Sequence, residues 1–171
     1  MKQFITWVLT LFCMAPSVFG QNADCESHRS KGYTGDVSMG VLHFPGGGYE
    51  NRPVVFTTHG YTFDNNLFIG AGLGIDVPMY KTDGSGVQYL YLSCGYDIDH
   101  GRIDSYVKCK FGMSYGNHGD NQIGAMLMPE YGLKYNNLSL GLGVMADSEC
   151  QRNTYFKYQW MKTALIFSVC F

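Results

Sequence analysis

Five ionisable side chains have strand-like spacing and could act together: Asp36, Lys108, Lys110, Glu130 and Lys134. Lys108 and Lys110 lie two apart in "SYVKCKFGMSY", and Glu130 and Lys134 lie four apart in "AMLMPEYGLKY". Both spacings put the members on one face of a strand, because successive side chains alternate. If a sheet closes around them, two chemistries follow. The ions bind a small anion or line a water path, or they neutralise one another as a structural plug. An enclosed unpaired ion is costly, so the plug is the stronger expectation.

The cysteines and histidines offer less. Past Cys13, five cysteines remain: Cys25, Cys94, Cys109, Cys150 and Cys170. Their number is odd, and none has zinc-ligand spacing, so no metal site is expected. Cys94 and Cys109 fall opposite one another if the intervening turn centres near residues 101–102. They would then form a cross-strand disulfide in an oxidising compartment, or remain thiols acting as small hydrophobes. Cys25 and Cys170 make a weaker second pair. The five histidines are scattered. His43 and His118 lie near expected loop ends, with Ser38 and Ser114 below them, but no Ser–His–Asp grouping follows from spacing. No cofactor signature is present.

The segments that must position these residues are strands. "NLFIGAGLGID" sets Leu67, Ile69, Ala71, Leu73 and Ile75 against Phe68, Gly70, Gly72, Gly74 and Asp76. "NLSLGLGVMA" repeats the pattern with Leu138, Leu140, Leu142, Val144 and Ala146 against Ser139, Gly141, Gly143 and Met145. A period of two sustained over ten residues is not helical. Each segment follows an Asn pair, Asn65-Asn66 or Asn136-Asn137, which suits a tight turn. Further strands read from "GYTGDVSMGVLHF", "RPVVFTTHGYTF" (register ambiguous), "GVQYLYLSCGY", "SYVKCKFGMSYG", "GAMLMPEYGLKY" and residues 155–171, where Leu165, Phe167, Val169 and Phe171 share a face. "PGGGYEN", "PMYKTDGSG", "GNHGDNQ" and "DSECQRN" read as long polar loops, and "DNN", "DIDHGRI" and "NN" as mostly shorter turns. Pro129 predicts a bulge.

The chain opens with one Lys, an apolar run and small residues before Gln21, which is a secretory signal pattern over 1–20 with cleavage after Gly20. A short segment, 21–30, follows, and one domain covers 31–171. No later run is long enough for a membrane helix. Charged residues are 15% of the 171, against a usual ~25%. Gly (22), Tyr (13) and Phe (11) are abundant, and a net charge of −2 argues against a nucleic-acid partner.

The expected fold is therefore all-β: a closed, antiparallel, up-and-down transmembrane barrel of about eight strands. Leu67, Ile69, Leu73, Ile75, Val107, Phe111, Leu138, Leu140, Leu142, Leu165, Phe167 and Val169 would face lipid. Tyr33, Tyr96, Tyr115, Tyr135 and Phe171 would sit near strand ends, as aromatic girdles do. The competing fold is a soluble sandwich or lipocalin-like barrel with these rows inside. It lacks support from a Gly-x-Trp near the first strand.

"TTHGYTFDNNLFIGAGLGID" and "GAMLMPEYGLKYNNLSLGLGV" resemble small outer-membrane β-barrel proteins of Gram-negative, particularly Bacteroidetes-type, bacteria, with an architecture similar to the OmpA transmembrane and OmpX barrels. The resemblance covers about residues 31–171. It implies residence among outer-membrane lipids, delivery by periplasmic chaperones, and insertion by the outer-membrane assembly machinery, with Phe171 as the terminal aromatic that machinery reads. Its patterns specify architecture rather than activity. Some such barrels are lipid A-modifying enzymes, but a non-enzymatic envelope role is the leading expectation. A narrow pore or transporter is the alternative.

Overall fold

The computed structural model describes residues 32–43, 51–77, 86–118, 120–150 and 157–171. The expected signal peptide and the 21–30 segment lie outside the described residues. Each alternating segment forms a strand: β1 (Gly32–His43), β2 (Arg52–Thr62), β3 (Leu67–Asp76), β4 (Val87–Ile98), β5 (Asp104–His118), β6 (Asp120–Tyr135), β7 (Leu138–Cys150) and β8 (Lys157–Cys170). Each is antiparallel to its sequence neighbour. β1 also pairs with β8, closing an eight-stranded barrel. At that seam Gly35 and Phe171 exchange backbone hydrogen bonds, each 2.9 Å. Closure leaves no sheet edge, which a lipid environment requires because it offers the backbone no partner.

The Asn pairs make the tightest turns. Asn66 and Asn136 have φ of 64° and 52°, the left-handed region that Asn tolerates. These turns and the 99–103 connection mark one end of the barrel, called here the turn end. The opposite end is the loop end.

Three expectations need correction. "GNHGDNQ" is not an open loop: β5 and β6 continue as a ladder to His118↔Asp120. Likewise β7 runs on through "DSEC", pairing Glu149 with Lys157. Backbone pairing sustains these extensions after the apolar alternation has ended. Pro129 causes no bulge either. Pairing with β7 is interrupted at Met128 and Pro129, then resumes in the same register, with Leu127↔Ala146 on one side and Glu130↔Gly143 on the other. The missing proline N–H costs pairing but not alignment. The register shift lies between Met145 and Asp147, opposite β8.

The wall is apolar outside. Ile69, Leu73, Val107, Phe111, Leu138, Leu140, Leu142, Leu165, Phe167 and Val169 are exposed, and Leu67 and Ile75 are half-buried on the same face. Tyr33, Tyr61, Phe63, Tyr96, Tyr135 and Phe171 are exposed around the turn end. Tyr115 is exposed toward the loop end. β2 resolves its ambiguous register by turning Val54, Phe56 and Thr58 inward and Val55, Thr57, His59 and Tyr61 outward.

Candidate functional site

The inward face of every strand builds the lumen, and most of the buried polar and charged side chains lie there. The lumen is stratified. Toward the turn end lie most of the ion pairs. Lys108 Nζ is 2.9 Å from Asp36 Oδ2, and Lys110 Nζ is 2.7 Å from Glu130 Oε2. Lys134 Nζ is 3.2 Å from Asp97 Oδ2. Tyr106 donates its hydroxyl to Glu130 Oε1 at 2.6 Å, and Ser38 and Thr58 donate to Asp36 Oδ1 at 2.8 and 3.2 Å. The Lys110–Glu130 pair is sealed, at 1% and 3% exposure.

Next comes an apolar belt of Leu42, Val54, Phe56, Tyr89, Tyr91, Met126, Met128, Met145, Ala164 and Ile166. Phe56 packs edge-on against Tyr91, with centroids 5.7 Å apart, and receives Lys110 Nζ over its ring at 5.0 Å. That contact joins belt to charges by a cation–π attraction. Toward the loop end a second polar layer follows. Asp76 accepts from Tyr89 Oη (2.9 Å) and from the Val87 backbone N–H (2.8 Å), with Arg52 3.6 Å away. Asp147 accepts from Ser114 Oγ (2.7 Å) and Lys162 Nζ (3.4 Å).

Of the five ions expected from sequence, the fold joins four into two pairs and gives Lys134 an acid that sequence reasoning missed, Asp97. It also missed Arg52, Asp76, Asp147 and Lys162. The signal was available for the acids: Asp76 and Asp147 continue the inward rows of Gly70, Gly72, Gly74 and of Gly141, Gly143, Met145. The lumen is also greasier than glycines and paired ions alone. The belt was hidden because "VVF" in β2 and "YLYL" in β4 are apolar on both faces.

Glycine on the inward face makes room for these rings. The Tyr106 ring lies across Gly132, where an added Cβ would come within 2.6 Å of it. The Tyr91 hydroxyl reaches across Gly72, where an added Cβ would lie 2.5 Å from it, on its way to Thr58 (3.0 Å). Gly72→Ala is therefore expected to destabilise the barrel by ~1–3 kcal/mol through overpacking. The control is Gly116→Ala, whose Cβ would meet only Val87 Cγ2 at an ordinary 3.8 Å. Urea unfolding in lipid vesicles should show a lowered midpoint for the first and little change, within about 0.5 kcal/mol, for the second.

No hydrolytic grouping comes together where it was sought. Ser38 points into the lumen, bonded to Asp36 and to Ser168, whereas His43 faces outward with Nδ1 2.8 Å from Asn51 Oδ1. Ser114 is committed to Asp147, and the His118 side chain lies outside the described residues. His100 Nε2 does contact Ser105 Oγ at 3.1 Å, but at the turn end, where Asp104 accepts from the His100 backbone N–H rather than from the ring. Among the described residues, no three of His, Cys, Asp and Glu gather as a metal site.

The sequence leaves Cys94 and Cys109 open between a cross-strand disulfide and a pair of thiols. Cys94 and Cys109 are direct partners across β4 and β5, yet both are free thiols, as is Cys170. The hydrogen-bond pattern supplies a reason. Asp97 donates its N–H across to Asn66, so odd residues of β4 bond toward β3 and even ones, including Cys94, toward β5. Cys94 and Cys109 thus form a hydrogen-bonded pair, with Cβ atoms near the wide end of the ~4.5–5.5 Å range. A disulfide needs ~3.5–4.5 Å. The other expected pairing, Cys25 with Cys170, lies partly outside the described residues.

No family model matches the chain, and no curated protein matches it. Solved structures do. The chain is similar to Neisserial surface protein A at 14% identity and TM-score 0.53, covering 81% of this chain and 94% of that one. It is similar to the outer membrane enzyme PagL at 12% identity and TM-score 0.51, covering 78% and 98%. The N-terminal β-barrel domain of Pseudomonas aeruginosa OprF follows at 13% identity and TM-score 0.49, covering 81% and 97%. The fold is thus that of small eight-stranded outer-membrane barrels, in keeping with the OmpA/OmpX-like architecture. The Bacteroidetes resemblance gains no support from these likenesses.

Proposed function

We propose that this protein is a non-enzymatic integral barrel of the outer membrane, with a structural role in the envelope and with its loop end available for recognition. The observation that carries the reading is the inverted polarity of a closed wall: aliphatic rows outside, buried ion pairs inside. Strands of 10 to 16 residues meet or exceed the ~9–11 that a tilted transmembrane strand needs. In the soluble lipocalin-like alternative the same rows would face the axis, and they face away from it. Outer-membrane lipid, periplasmic chaperones and the assembly machinery reading Phe171 are the partners this reading entails; a nucleic acid is not among them.

The test is direct. The refolded protein should partition with detergent and migrate faster on gels unheated than boiled. Recovery in the aqueous phase without detergent, with no such shift, would overturn the reading.

The pore alternative makes a separate prediction. A water path must cross the belt of Leu42, Phe56, Met128, Met145 and Ile166, each fully buried. In a planar bilayer the protein should show no steady single-channel openings; regular openings would favour the pore. An enzyme reading draws on the fold shared with PagL, but at the Ser105–His100 contact the Asp104 carboxylate accepts from the His100 backbone N–H rather than from the ring.

A further inference from the structure

We propose that Cys94 and Cys109 form a two-thiol clamp for a soft divalent metal ion that favours linear coordination, of which mercuric ion is the type. The two residues are 15 positions apart in sequence, so no linear motif reveals them, but the β4–β5 register sets them face to face on the outer wall.

Three features define what the clamp takes. The first is span. A hydrogen-bonded pair holds its Cα atoms ~5.5 Å apart, within the ~4.4–6.8 Å range of disulfides, but its Cβ atoms near ~5.5 Å, beyond a disulfide's ~3.5–4.5 Å. A linear sulfur–metal–sulfur bridge needs sulfurs about 4.6 Å apart, twice a metal–thiolate bond of ~2.3 Å. The second is donor number. The cross-strand neighbours are Ile69 beside Cys94 and Pro129 beside Cys109. Along the same outward rows come Leu92 and Tyr96 on β4, and Val107 and Phe111 on β5. Apart from the Tyr96 hydroxyl at the rim, these side chains carry no donor. Zinc, which wants four ligands, is therefore poorly served. The third is charge. This step rests on the membrane reading above: a site against lipid is stable only if nearly neutral. Two thiols that release two protons to a divalent ion give a neutral bis-thiolate, whereas cuprous ion would leave one negative charge.

The test uses the full mature chain folded in detergent micelles, with Cys25, Cys150 and Cys170 replaced by Ala. Mercuric chloride is added with an excess of a monothiol competitor, and bound metal is read by intact mass and by the thiolate-to-metal charge-transfer absorption. The two-cysteine protein is expected to retain one ion per chain. Cys94→Ala and Cys109→Ala in that background should each lose it to the competitor, with retention falling at least tenfold. Should the background variant fail to fold, wild-type protein carries the same test: bound mercury must protect Cys94 and Cys109 together from alkylation, as mapped by peptide mass. Equal loss from the paired and single-cysteine proteins, protection of only one of the two, or isolation of a Cys94–Cys109 disulfide would overturn the clamp. The gel-shift assay reports folding independently, so failure of the clamp is distinguishable from failure of the membrane assignment.

Discussion

Lys110→Met is expected to destabilise the barrel by ~3–5 kcal/mol, the cost of leaving one member of a buried ion pair without its partner. Glu130 would keep only the Tyr106 hydroxyl as a hydrogen-bond partner, at a site where the carboxylate is 3% exposed. The nearby Lys108 offers no ready replacement, because its ammonium is held by Asp36 at 2.9 Å. Glu130→Gln should also be damaging, since it strands the Lys110 charge, although the amide still accepts from Tyr106. The informative protein is the double variant Lys110→Met/Glu130→Gln. It removes both charges, keeps an acceptor for Tyr106, and places a methionine against Phe56, which already faces Lys110. Its loss should be well below the sum of the single losses, giving a coupling energy of ~2 kcal/mol or more. In urea unfolding from vesicles, with a slope of ~1–3 kcal/mol/M, the Lys110→Met midpoint should fall by about 1 M or more. Additive losses would mean that water reaches the pair and screens it, and the sealed-lumen picture would fail with it.

How legible this was in the sequence depended on contrast between faces. β3 and β7 set aliphatic side chains against glycine, so an unambiguous period of two gave their extent, their facing and their Asn turns. Lys108, Lys110 and Glu130 were assignable to the lumen for the same reason. Where both faces are apolar, as around Val54, Val55 and Phe56, alternation carries no phase, and the inward belt went unseen. Where neither face is apolar, as at Asn117–Asn121, alternation carries no signal at all, and a paired ladder read as a loop. Partner choice is a further step removed. That Lys134 meets Asp97 depends on strands not adjacent in the barrel, and so on the barrel's three-dimensional closure rather than on any local pattern. The thiols illustrate the same gap. Their opposition followed from counting around a turn, but whether the pair was hydrogen-bonded depended on a bond phase that no sequence states.

Leu142→Arg is expected to cost ~2–4 kcal/mol, and Leu138→Arg on the same strand only ~0–1 kcal/mol, because the penalty for a charge on a lipid face falls from midplane to interface. Leu142 is 67% exposed near the middle of the outer wall, flanked across the ladders by Tyr131 and Leu165. Leu138 is also exposed, but it begins β7 beside the Asn136 turn, level with the aromatic ring of the turn end. The four-residue step from one to the other corresponds to about 13 Å of strand, enough to carry an arginine from hydrocarbon to headgroups even with the strands tilted. Both substitutions leave the lumen untouched and both add the same charge. Any difference therefore reports depth in the bilayer rather than packing. For a soluble protein the expectation reverses: an arginine at either exposed position would be tolerated to within about 0.5 kcal/mol, as most surface substitutions are. Reversible unfolding from lipid vesicles measures both variants on one scale. A clear gap between Leu142→Arg and Leu138→Arg supports a wall buried in lipid, and equal, small effects would remove the physical basis for placing this barrel in a membrane.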